Sequence, residues 1–100
     1  MKKNKSILIT GANGFIGKNL HIKLSESKEF KVFCFSRTDD LTSLEEKISR
    51  SDVIIHLASE IRPDNPEYFK NNVELLEKIC GLIKEVGRKI VYVIRFSWYY

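Results

Sequence analysis

Thr10-Gly11-Ala12-Asn13-Gly14-Phe15-Ile16-Gly17 follows directly on the apolar run Ile7-Leu8-Ile9. Three glycines at this spacing, between a β-type run and a helical pattern, suit a turn that lets backbone approach a pyrophosphate. Each glycine has a separate reason to lack a side chain. One makes the tight turn, one admits the phosphates, and one lets the helix pack close against its strand. The helix that follows points its free N–H groups and positive dipole end at the anion. The chemistry these residues favour is the holding of a nucleotide cofactor.

The end of the next β-type run selects the cofactor. An Asp or Glu about 20 residues past the glycines would bind the adenosine ribose hydroxyls. Ser36 and Arg37 stand there instead, and the first acids come at Asp39 and Asp40. A guanidinium beside a hydroxyl suits a 2′-phosphate, whose oxygens its planar fork grips in pairs. NADP(H) is therefore favoured over NAD(H), with a solvated loop charge as the alternative reading of Arg37. His56, inside Ile55-His56-Leu57-Ala58, reads as a core histidine bonded to backbone rather than a catalytic base. No histidines are paired for a metal and no nucleophile-and-base arrangement is visible. Cys34 and Cys80 lie far apart inside apolar segments and read as buried free thiols, in keeping with a reducing cytoplasm.

The elements that must position these residues alternate between β-type and helical patterns, which favours a parallel α/β sheet. Lys5–Thr10 reads as a first strand and Asn13 or Gly14 opens a helix through about Ser25, with Ile16, Leu20 and Leu24 facing inward. Lys31–Ser36 reads as a second strand. A short helix from about Thr42 to Arg50 follows; Thr42 with Glu45, or Ser43 with Glu46, has capping-box spacing, and Leu41, Leu44 and Ile48 form its stripe. Asp52–Ala58 holds the near-continuous apolar run of a strand covered on both faces. Ser59–Asp64 is a loop. Asn65 and Pro66 open a long helix whose face runs through Phe69, Val73, Leu76, Cys80 and Ile83. Gly87 ends it, with Arg88 and Lys89 beside its negative end, and Ile90–Ile94 is a last strand. The fold class is a Rossmann-type, doubly wound parallel sheet, partial, with about four strands and flanking helices.

Length and composition agree with one domain. The chain has 100 residues, 43% hydrophobic and 30% charged, with a formal net charge of +4. Part of that charge is the Lys2, Lys3, Lys5 start, read as a solvated terminus. No dense basic face interleaved with aromatics appears, so nucleic acid is not an expected partner. The apolar stretch after the lysines breaks at Thr10, too early for a signal core, and no run approaches the roughly 20 residues of a membrane span. A cytoplasmic protein is expected.

Thr10-Gly11-x-x-Gly14-Phe15-Ile16-Gly17, with Asp52-Val53-Ile54-Ile55-His56-Leu57-Ala58-Ser59, resembles the extended short-chain dehydrogenase/reductase family, the NAD-dependent epimerase/dehydratase group. Arg62-Pro63 and Asn72-Val73 fit the same pattern over about residues 5–93. Arg37 running almost directly into Asp40-Leu41, with a strand missing between, resembles the capsular-polysaccharide nucleotide-sugar reductases. The resemblance implies that Gly11, Asn13, Gly14, Phe15, Ile16 and Gly17 cradle the pyrophosphate. Ser36 and Arg37 would meet the adenosine phosphate, Asp40 and Leu41 would flank the adenine, and Leu57, Ala58 and Ser59 would line the cofactor. Asn72 would brace the sheet. A nucleotide-sugar is the substrate the resemblance implies.

The family's chemistry also needs a Ser or Thr after the last of these strands, then a Tyr and a Lys four residues apart. The lysine lowers the tyrosine pKa so that a phenolate can move a proton while hydride passes to or from the nicotinamide. The sequence reads Ile94-Arg95-Phe96-Ser97-Trp98-Tyr99-Tyr100, and no Tyr-x-x-x-Lys occurs in it. No residue here is therefore expected to be catalytic. The aromatic tail resembles a truncated or frameshifted frame lacking the substrate-binding portion. The expectation is a catalytically incomplete cofactor-binding part; a module of a split enzyme and an inert gene fragment are the alternatives. Ile90–Phe96 would form a long apolar edge, which predicts self-association.

Overall fold

Three β–α crossovers bring four short strands side by side in one parallel sheet. In the computed structural model these are β1 (Lys5–Thr10), β2 (Phe30–Phe35), β3 (Val53–His56) and β4 (Val91–Ile94), ordered β2-β1-β3-β4. The helices are α1 (Phe15–Glu26), α2 (Leu41–Ser49) and α3 (Pro66–Val86). The structure describes residues 5–12, 14–36, 39–57 and 66–94, the side chains of 66–72 and 94 excepted. The expected loop at Ser59–Asp64 and cap at Asn65 lie outside them, as does the Asn72 side chain.

Alternation along each strand sends successive side chains to opposite faces. Ile7 and Ile9 on one face pack with Leu20 and Leu24 of α1 and with Val32, Val53 and Ile55. On the other, Leu8, Phe35 and Ile54 pack with Leu44 and Ile48 of α2 and with Ile79 and Leu82 of α3. This is the doubly wound arrangement, and β1 at its centre is covered on both sides. Among the described residues no helix is long and apolar enough to cross a membrane.

Several expected details differ. Ile16 is not inward: it is 38% exposed, and Gly17 takes the buried place on α1. A residue without a side chain lets the first turn press onto the strand, which rotates Ile16 outward. Helix α2 starts one residue early because Asp40, not Thr42 or Ser43, is its N-cap, accepting the Ser43 amide at Oδ1 over 2.8 Å. Leu41 then falls outside the stripe and is exposed. The buried stripe of α3 is centred on Ile79, with Leu75, Leu82, Ile83 and Val86, so Cys80 lies on its flank and is exposed. Cys34 is partly buried, and both thiols are free.

The amino end of the sheet is closed by two residues whose roles the sequence did not announce. Asp52 accepts the Ser6 amide at Oδ2 over 2.8 Å, and its own amide donates to the Ser6 carbonyl. Its carbonyl accepts the Val91 amide at 3.0 Å, so Asp52 ties β1, β3 and β4 together. Arg88 was expected beside the end of α3. Its guanidinium instead donates to the carbonyls of Ser49 and Ser51, at 2.8 and 2.7 Å, beyond α2. Gly87 does end α3, at a φ of 74°.

Candidate functional site

The strand order reverses between β1 and β3, and the segments leaving the carboxyl ends of β1, β2 and β3 meet there. Thr10 pairs with His56 at the last position of the ladder, and the Leu57 amide donates to the Thr10 carbonyl at 3.0 Å. On the other side the Gly11 amide donates to the Phe35 carbonyl at 3.1 Å. Gly11, Ser36 and Leu57 therefore leave three adjacent strands side by side. In open α/β sheets, a topological switch point of this kind is where ligands sit.

The three glycines divide their work in a way the geometry makes explicit. Gly11 has a φ of 77°, a left-handed conformation that side chains resist. Gly17 is required by packing: a Cβ there would run into the Gly11 carbonyl oxygen and lie 2.7 Å from Ala12 Cα. Backbone on both sides leaves no room to adjust. Gly14 is different. Its φ of −73° suits any residue, it is exposed, and a Cβ would meet only the Gly11 oxygen at an ordinary 3.5 Å. Among the described residues nothing demands glycine at 14. It is the N-cap residue of α1, where a side chain would obstruct whatever approaches the helix end.

That helix end is arranged for an anion. Its N-cap, Gly14, has no side chain to offer the first amides, and the first turn carries no acid. The first amides of a helix have no intrahelical acceptor and carry the positive end of the dipole. Gly14 closes the turn by donating to the Gly11 carbonyl at 3.2 Å, leaving Phe15 and Ile16 as the first helical residues. Phe15 is 85% exposed, far outside the ordinary range for a phenylalanine, and stands at the same mouth. These residues fit a dinucleotide's pyrophosphate.

Of the other expected site residues, Ser36 and Leu57 lie at this end of the sheet, and Asp40 and Leu41 open α2. Asn13, Arg37, Ala58 and Ser59 lie outside the described residues.

His56 is buried, as expected, but its partner is not backbone. Its Nδ1 lies 2.7 Å from Thr10 Oγ1, itself fully buried, directly before the glycine turn. Tyr92 meets the imidazole edge to face, with ring centroids 6.0 Å apart. Burial holds the His56 pKa below its usual 6.5, so the ring is neutral. The buried Tyr92 hydroxyl has no hydrogen-bond partner among the described residues, and burial raises its pKa. At the rim of β2, Cys34 Sγ lies 3.4 Å from His21 Nδ1, and burial pushes the thiol's pKa up, which keeps it protonated. Among the described residues no group of three or more His, Cys, Asp or Glu could hold a metal.

Comparison with known proteins agrees with the geometry. The profile of the NAD dependent epimerase/dehydratase family matches residues 7–97. A UDP-2-acetamido-2,6-beta-L-arabino-hexul-4-ose reductase of Pseudomonas aeruginosa is 42% identical over 85 residues, covering 84% of this chain and 23% of that protein. A GDP-6-deoxy-D-talose 4-dehydrogenase of Aggregatibacter actinomycetemcomitans is 48% identical over 61 residues, covering 53% of this chain and 20% of the relative. Among solved structures, the capsular polysaccharide assembling protein CapF from Staphylococcus aureus superposes with a TM-score of 0.70 at 32% identity, covering 86% of this chain and 24% of that one. A structure of CapF with the inhibitor 3-isopropenyl-tropolone gives a TM-score of 0.71 at 26% identity, covering 89% of this chain and 23% of that one. The chain thus spans less than a quarter of the length of either curated relative.

Proposed function

Because this chain belongs to the NAD dependent epimerase/dehydratase family, we propose that it is the nicotinamide-dinucleotide-binding part of an enzyme acting on a nucleotide-sugar. The observation that carries the reading is Gly14, for which the described residues give no internal reason to be glycine, as the N-cap at the mouth of α1. The amide end of α1 holds the pyrophosphate, Gly11 shapes the turn, and Gly17 keeps the helix against β1. Leu57 lines the far side of the crevice, and Ala58 and Ser59, next in sequence, are assigned to cofactor contact with it. Ser36 and Arg37 receive the adenosine end, which favours NADP(H) over NAD(H), while Asp40 and Leu41 flank the adenine. The cofactor, when bound, supplies hydride exchange.

No Tyr-x-x-x-Lys pair occurs in these 100 residues, so proton transfer at the sugar falls to groups outside them. The nucleotide-sugar relatives support that substrate class. The chain by itself binds cofactor without turning over substrate, and it associates through the β4 edge, Val91–Ile94; residues 95 and 96 of the expected Ile90–Phe96 edge lie outside the described residues.

Titration with NADPH and NADH, following nucleotide fluorescence and thermal unfolding together, tests this. Saturable binding is expected, with stabilisation approaching about 2.7 kcal/mol at a hundredfold excess over Kd. Absence of binding by a cooperatively folded chain would refute it and leave the glycine turn as a mark of ancestry.

A further inference from the structure

The carboxylate that β2 lacks in sequence is returned to it by the loop that follows. Asp39 comes three residues after Ser36, yet its Oδ2 accepts the Ser36 amide at 2.9 Å, and the Asp39 amide donates to the Ser36 carbonyl at 3.0 Å. A negative charge therefore stands at the carboxyl end of β2, where an acid in this type of fold receives the adenosine ribose hydroxyls. Asp40 does not compete for that place, since it is held as the N-cap of α2.

Lys47 answers the charge. It lies on α2 beside the buried stripe of Leu44 and Ile48, and its Nζ donates to the Cys34 carbonyl at 2.6 Å. That bond anchors the ammonium at the strand end, 3.7 Å from Asp39 Oδ2. The two side chains are 28% and 37% exposed, so solvent screens the pair only in part. Without the lysine, a bare carboxylate would face the adenosine end of the cofactor. It would accept hydroxyls well and repel a phosphate.

We propose that Lys47 determines the cofactor preference of this chain, by neutralising Asp39 at the end of β2 so that the site takes a 2′-phosphorylated adenosine. The assignment rests on the glycine turn being a dinucleotide site, and it adds a residue from α2 to the selection made by Ser36 and Arg37. The pair acts as one unit: Asp39 binds the Ser36 main chain at the end of β2, and Lys47 removes the electrostatic penalty of having an acid there.

The test compares Kd values for NADPH and NADH, and for adenosine 2′,5′-bisphosphate and AMP, in wild type, Lys47→Met, Asp39→Asn and the double variant. Lys47→Met is expected to shift preference toward the unphosphorylated ligands by about tenfold, the size expected of one partly screened charge a few ångströms away. Asp39→Asn, which keeps an acceptor for the Ser36 amide, should shift preference the other way. The double variant should return near wild type. Ratios unchanged within twofold in both single variants, with wild-type binding intact, would overturn the role of Lys47 and leave the cofactor site standing. If Lys47→Met does not fold, Asp39→Asn decides alone, and an unchanged ratio overturns the proposal. A wild-type chain that binds none of the four ligands overturns the site and the assignment with it.

Discussion

A buried histidine whose Nδ1 touches a buried threonine hydroxyl can be read as a proton balance. His56 and Thr10 meet at 2.7 Å, with 3% and 0% of their surfaces exposed. Neutral imidazole can accept a hydrogen bond from the Thr10 hydroxyl at Nδ1; imidazolium can only donate, and burial disfavours its charge. Because the folded pKa lies below 6.5, the unfolded chain binds its proton first as pH falls. Stability from this site is complete above pH 6.5 and declines as pH drops toward the folded pKa. We predict that the thermal midpoint falls more steeply below pH 6.5 in wild type than in His56→Gln, both proteins retaining His21. Parallel curves would show that His56 does not titrate in this way. At this scale the sequence conveyed residue types and burial but not partners. His56 was readable as core, whereas the Thr10 hydroxyl as its partner depends on strand register. Lys47 was not legible as a site residue either, because only the helix's rotation carries it back to β2.

At the scale of elements, strand and helix identities were legible from periodicity, and boundaries moved by a residue or two. The moves have local causes. Asp40 captured the N-cap of α2 because its side chain reaches the Ser43 amide, which the competing capping boxes at Thr42 and Ser43 cannot pre-empt. On α3 an apolar band running from Leu75 to Val86 could face the sheet through several rotations, and the sheet selected the one centred on Ile79. Arg88 had two helix ends within its reach and bonded beyond α2, where two carbonyls converge. Its pairing with Asp52 at 3.7 Å is half exposed and adds little. Removing the guanidinium in Arg88→Met should cost about 1–2 kcal/mol through the lost carbonyl contacts. Urea unfolding is the measurement, and an unchanged midpoint would show that water replaces the arginine freely.

At the scale of the whole molecule, the alternation of elements anticipated a doubly wound parallel sheet, and the structure orders its strands β2-β1-β3-β4. What remained out of reach was how much of the sheet the helices cover. Helix α1 lies over β1 and β2, but Val91 and Val93, on the same face as Val53 and Ile55, are 49% and 47% exposed. Among the described residues β4 has no strand on its outer side. Open backbone next to exposed valines is a template for pairing. Sedimentation should show concentration-dependent self-association, reduced in a Val91→Lys, Val93→Lys variant; a monomer at all concentrations would remove the edge from consideration.

The two ends of the sheet are unlike. At the amino end, Asp52 and Arg88 lock strands and helix ends to one another through main-chain contacts. At the carboxyl end stand the glycine turn and the Asp39–Lys47 pair. Substitutions at sites this far apart act on stability almost independently. Substitution at the glycine turn or at the Asp39–Lys47 pair is therefore expected to leave the contribution of Asp52 and Arg88 to the unfolding free energy unchanged.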